Sequence, residues 1–219
     1  MNARPVPASR NPVRNPRLHY SFDHDAEMWH IYDAERSVAL YAERGPEGFH
    51  DIYCPPTWES SGGVHDSGYI WADDSRWTLD EPETPRSILP LLTWRQWLLR
   101  GPVDLREAEL SVYLRGDGLD LKGGACYFWV NSLTYGNRWH LTSRPLPIEP
   151  GRWADAPVVV ALRNEEPLWH RSWTVPTAQK HPLDRVLGSA DSYGFAFVGF
   201  SDKVTGHFCI DEFRLRLRA

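Results

Sequence analysis

Two runs in this chain, LSVYLRG (110–116) and ACYFWVNS (125–132), alternate apolar and polar residues with a period of two. Only a β-strand turns that period into one apolar face and one polar face. PVVVAL (157–162), YGFAFVGF (193–200) and GHFCIDEFRLRLR (206–218) read as further strands, and so do segments of HYSFDHDAEMWHIYD (19–33), SVALYAER (37–44) and RWHLTS (138–143). Helical signals are few. SILPLLTWRQWLL (87–99) is the best helix candidate before the main sheet, with a strand as the alternative, and HPLDRVLGSA (181–190) reads as a short helix capped near Gly188. Many strands and few helices, separated by Pro and Gly turns, predict an all-β fold. The expected form is a two-sheet antiparallel β-sandwich (jelly roll) with one or two short helices.

A chain of 219 residues suits one such domain. The segment MNARPVPASRNPVRNPR (1–17) has four Pro, four Arg and no acid, so residues 1–18 are expected to be a flexible basic N-terminal tail. Residues 19–219 then form a single β-jelly-roll domain, with a long functional loop at 54–99 that is rich in Pro, Gly, Ser and Asp.

The net charge of −5 argues against nucleic-acid partners. No apolar run approaches the roughly 20 residues of a membrane span, so no membrane partner is expected. The N-terminus shows no signal peptide, which places the protein in the cytoplasm, or outside the cell if a leader has been removed. The three cysteines, Cys54, Cys126 and Cys209, lack metal-ligand spacing and read as thiols, at least one of them unpaired. Eleven Trp exceed what the core of such a domain needs, since a buried indole N–H needs a partner. Several are expected at a binding surface.

Alternation places Leu110, Val112 and Leu114, and likewise Cys126, Phe128 and Val130, on core faces. It leaves Tyr113, Arg115, Tyr127, Trp129 and Asn131 on the non-core side. Flat rings that stack on apolar C–H faces, with planar polar groups for paired hydroxyls, are the chemistry of saccharide recognition. These five side chains are expected to line one concave ligand site, with Trp71 and His140 contributing. The segment GGVHDSGYIWADDSRWTLDEPETP (62–85) is expected to form its rim. If the domain is an enzyme, the same segment supplies His65, Asp66, Tyr69, Asp73 and Arg76 as catalytic groups. A hydrolase would need two carboxylates about 5–10 Å apart, and Asp66, Asp73, Asp74, Asp80 and Glu83 offer many pairs. A lyase would want a base and a cation, for which His65, Tyr69, Arg76, Tyr127 and His140 are candidates.

Three segments in order, SFDHDAEMW (21–29), IEPGRWADAPVVVAL (148–162) and TGHFCIDEFRLRL (205–217), resemble the galactose-binding-like jelly rolls of carbohydrate-binding modules. The resemblance implies a carbohydrate ligand. It also implies a structural calcium between the first and last strands, at Asp23 and Asp211, with Asp25 and Glu212 nearby. Three readings remain open: carbohydrate recognition on the concave face, which leads; a glycan- or glycoside-acting hydrolase or lyase using the 62–85 loop; and a structural or interaction subunit of a larger assembly.

Overall fold

A computed structural model describes residues 17–32, 53–77, 79, 87–95, 101–174 and 178–217. Within them the chain forms β1 (Arg17–Tyr20), β2 (Trp29–Tyr32), β3 (Tyr53–Cys54), β4 (Thr57–Glu59), β5 (Tyr69–Asp73), β6 (Ser87–Ile88), β7 (Leu92–Trp94) and β8 (Ala108–Asp120). Then come β9 (Ala125–Ser132), β10 (Asn137–His140), β11 (Glu149–Pro150), β12 (Val158–Leu162), β13 (His170–Thr174), α1 (Leu183–Leu187), β14 (Ser192–Val198) and β15 (Thr205–Arg216). Among the described residues these strands make two sheets. The seven-stranded sheet runs β11-β8-β15-β5-β4, with β1 on β15 and β12 on β8. The eight-stranded sheet runs β13-β10-β9-β14-β7-β2-β3, with β6 on β14. Pairing is antiparallel apart from the short β11–β8 contact. This is the expected sandwich.

The period-two reading of the core holds. Leu110, Val112 and Leu114 of β8 are buried, and so are Cys126, Phe128 and Val130 of β9, in one cluster with Phe195, Phe197, Phe208, Ile210 and Phe213. Burial on this scale stabilises by about 25 cal/mol for each Å² of apolar surface removed from water. The expected short helix is α1, whose last turn closes when the Gly188 N–H donates to the Asp184 carbonyl at 2.9 Å.

Two expectations are corrected. The helix proposed over 87–99 is absent from its described part, where β6 and β7 stand. Pro90 cannot continue a helical hydrogen-bond ladder. Leu91 instead joins the main core while Leu92 joins a second cluster on the opposite face, a strand pattern. The described part of 54–99 is likewise not one long loop, because β4 and β5 pair as a hairpin around residues 60–68. Arg17 and Leu18, within the expected tail, belong to β1, which pairs with β15. The strand expected at 37–44 lies outside the described residues. No described helix is long and apolar enough to cross a membrane.

The first and last strands do meet, but the structure gives the expected calcium site no support. Asp211 is fully buried, and its Oδ2 accepts the Val64 N–H at 2.7 Å and the Ser67 hydroxyl at 2.8 Å. Its Oδ1 accepts the Glu212 N–H at 2.6 Å. Asp23 is exposed, and no three His, Cys, Asp or Glu among the described residues gather round a cation position. Asp211 therefore acts as a pin that holds the 60–68 loop against β15. Gly63 permits the approach, since a Cβ there would lie 2.6 Å from the Asp211 carboxylate. Burial, partly opposed by these donors, pushes the Asp211 carboxyl up to about 6. Replacing Asp211 with Ala should leave the Val64 and Glu212 N–H groups without their acceptor, while the Ser67 hydroxyl can still donate to the Val64 carbonyl, and cost about 2–4 kcal/mol, read as a lower urea midpoint. An unchanged midpoint would show that the pin contributes nothing.

Candidate functional site

Of the predicted site residues, those on β8 and those on β9 lie in different sheets. β8 pairs with β15, β12 and β11, whereas β9 pairs with β10 and β14. Tyr113 and Arg115 consequently lie on the outer side of one sheet, and Tyr127, Trp129 and Asn131 on the outer side of the other. The five do not line a single site, and the 60–68 loop borders only the first group.

On the seven-stranded sheet, Arg115 sits between two rings, 4.6 Å from the Tyr69 centroid and 4.5 Å from that of Trp153. It pairs with Asp117 at 2.9 Å and donates to the Gly62 carbonyl at 3.3 Å, an oxygen that also accepts the Trp153 indole N–H at 2.8 Å. Cation, carboxylate, rings and carbonyl satisfy one another, so this group clamps the 60–68 loop. Trp71 stacks on His207, with centroids 4.5 Å apart, and donates its indole N–H to Glu59. Asp73 accepts from Ser75. His65 and Asp66 are exposed at the loop tip with φ of 58° and 62°, and the Asp66 carboxylate accepts the Gly62 N–H at 3.2 Å. Arg76 donates to the Pro55 carbonyl at 3.3 Å. Tyr113 helps line a cavity of about 270 Å³ with Arg144, Glu149 and Val159.

The outer face of the eight-stranded sheet differs in chemistry. Strand register sets out one row of partners across it: His170, His140, Trp129, Gly194, Leu92 and His30. The next row carries Arg138, Asn131, Ser192 and Trp94. Neighbouring strands lie about 4.8 Å apart, so four adjacent side chains can reach one small ligand. Trp129 is only 2 % exposed and packs with Leu89, Leu92 and Ala196, with Tyr32, Trp94 and Val198 against them. Its indole N–H donates to the Phe195 carbonyl at 2.8 Å. The Arg138 guanidinium lies 5.8 Å from the Trp129 ring centroid and donates to the Ser172 hydroxyl at 3.1 Å.

Around this ring, Asn131 Oδ1, His140 Nε2 and Ser192 Oγ have no hydrogen-bond partner among the described residues. Their residues are 3 %, 2 % and 0 % exposed. Burial, reinforced by the charges of Arg138 and His170, holds the His140 imidazole well below its usual range, and burial alone brings His30 down to about 4. Both rings are neutral at ordinary pH, each offering one donor and one acceptor nitrogen. Of the predicted ligand set, the structure thus gathers Tyr127, Trp129, Asn131 and His140 on this face. Ser192 and Arg138 were missed. Ser192 stands at the head of an apolar strand, and its place opposite Asn131 is fixed by a pairing that no local pattern announces.

An unsatisfied buried group costs about 1–3 kcal/mol. Ser192→Ala should therefore leave folding stability unchanged or raise it, whereas Trp129→Ala, which removes a packed ring, should cost about 3–5 kcal/mol. Chemical denaturation of the two variants checks both signs; a clear loss of stability in Ser192→Ala would mean that the hydroxyl already has a structural partner.

No family model matches this chain, and no curated protein matches it. Among solved structures, an exo-beta-agarase aligns at a TM-score of 0.50 and 12% identity, over 94% of this chain and 26% of the agarase chain. A family 11 carbohydrate-binding module from Clostridium thermocellum, in complex with a beta-1,3-1,4-mixed-linked tetrasaccharide, aligns at 0.42 and 12% identity, over 73% of this chain and 79% of the module. The L4b domain of human laminin alpha-2 aligns at 0.46 and 8% identity, over 93% and 98% of the two chains. The agarase likeness is one of fold, and this chain spans about a quarter of that protein.

Proposed function

We propose that this domain recognises carbohydrate on the outer face of its eight-stranded sheet, around Trp129, Asn131, His140 and Ser192. The observation that carries the reading is the set of three buried, unpartnered polar atoms beside an indole. A sugar hydroxyl can donate and accept at once, so it suits an amide oxygen, a serine hydroxyl and a neutral imidazole equally well. Among the described side chains of the face, Arg138 carries the one permanent charge, which fits a ligand recognised by hydroxyls. The described acid and base residues of the 62–85 segment lie with the other sheet, so they are not beside the proposed ligand face.

The agarase, which by its name acts on agarose, makes that polymer the first to try, with mixed-linkage β-1,3-1,4-glucan second. Native affinity gels containing either polysaccharide should retard the wild-type protein. Asn131→Ala and Ser192→Ala should each weaken binding by about 1–3 kcal/mol, or roughly 5- to 150-fold, while remaining folded. A wild-type protein that neither gel retards and that binds nothing on a broad glycan array would refute the reading. So would undiminished binding in both variants.

A further inference from the structure

Asp191 is a buried carboxylate, 6 % exposed, with no part in the recognition described above. It stands immediately before Ser192, at the head of β14. Its two oxygens accept the Leu133 N–H at 3.0 and 2.8 Å, and the Thr134 N–H is also bonded to it. Its backbone closes the same corner. The Asp191 N–H donates to the Asn131 carbonyl at 3.1 Å, and its carbonyl accepts the Arg95 N–H at 2.8 Å. One side chain thus ties the turn after β9 to the start of β14, at the rung where Asn131 faces Ser192.

We propose that Asp191 is a positioning residue for the carbohydrate face: its ionised carboxylate fixes the Asn131–Ser192 rung, so binding there tightens as Asp191 ionises. The inference rests on the carbohydrate reading and adds a pH dependence to it. An ionised carboxylate only accepts, which matches two amide donors, and charge-assisted bonds are about twice as strong as neutral ones. Once protonated, one oxygen becomes a donor facing another donor, and the turn loses part of its hold.

The surroundings put this titration in an accessible window. Burial pushes the Asp191 carboxyl up to about 7, against the amides of Leu133 and Thr134 and the charge of Arg95. Arg95, 1 % exposed, is a permanent cation whose Nε donates to the Gly101 carbonyl at 3.0 Å. Tyr193, the next core residue of β14, is held well above its usual range by burial, and its hydroxyl meets that of Tyr20 at 3.0 Å, so it stays protonated. His140 and His30 are already neutral. His181, against the Tyr135 ring in the same turn, and exposed His170 are the imidazoles to control for. The sign for folding is opposite to that for binding. A raised carboxyl means the fold prefers protonated Asp191, so its contribution to stability is complete below the ordinary carboxylate range and is lost as pH rises through about 7. A residue that merely stabilised the fold would make binding and stability move together.

The test has two arms. In the wild-type protein without sugar, the amide resonances of Leu133 and Thr134 should shift between about pH 5.5 and 8.5 with a midpoint near 7. In agarose or mixed-linkage glucan gels, affinity should be about fivefold higher at the upper pH. Asp191→Asn should abolish that difference, and His170→Gln and His181→Gln should keep it. Amides that do not titrate, or an Asp191→Asn protein with the wild-type pH profile of binding, overturn the proposal. The amide arm needs no variant, so it decides even if Asp191→Asn does not fold. Titrating amides with no retardation in either gel at either pH would leave Asp191 as a clasp of the turn, sink the carbohydrate reading for these polymers, and overturn the positioning role with it.

Discussion

The two sheets are clasped by aromatic rings that meet at Phe213. This β15 side chain stacks on Tyr193 of β14 at an interplanar angle of 2°. It also meets Trp29 of β2 edge-on at 4.9 Å, Tyr20 of β1 at 5.8 Å and Phe195 at 6.1 Å. Each such pair adds about 0.5–1.5 kcal/mol beyond area burial. More important here is what the clasp fixes. Tyr193 and Phe195 are drawn inward from β14, so strand alternation must turn Ser192, Gly194 and Ala196 outward. The core thereby decides which β14 side chains the outer face receives.

Gly194 shows how closely that face is built. A Cβ there would lie 2.4 Å from the Leu91 carbonyl oxygen, so only glycine lets β7 approach β14 at this point. The closeness brings Leu92 beside Trp129 in the second cluster. Trp129 is therefore a wall held by packing and by its bond to the Phe195 carbonyl, not an open platform. On the carbohydrate reading proposed above, discrimination falls to the small polar side chains around the ring.

The alternation in the sequence was sufficient to sort inward from outward side chains, because burial follows a period that each strand carries within itself. Leu110, Val112, Leu114, Cys126, Phe128 and Val130 could all be read that way. Which strand lies beside which is not local information. β8 and β9 are joined by a short connection, with Lys122 and Gly123 at φ of 52° and 82°, yet they enter different sheets. That crossing separated Arg115 from Trp129, which sequence proximity had placed together. Asp191 escaped notice because nothing in GSADSY (188–193) marks a carboxylate that will be buried against amides 58 positions away. Its role exists only once β14 has paired with β9.

The contrast between the two outer faces carries the functional argument furthest. Both hold a tryptophan, an arginine and polar side chains, the composition that made them look like one site. On the seven-stranded sheet those groups satisfy one another: the Arg115 charge meets Asp117, two rings and a carbonyl. Such closure favours rigidity and leaves little to offer a ligand. On the eight-stranded sheet an amide oxygen, an imidazole nitrogen and a hydroxyl are withdrawn from water and left with bonds unmade. A fold tolerates that cost where stability is not the property being served. Residue type alone does not separate a clamp from a site; the separation appears when each donor and acceptor is followed to its partner.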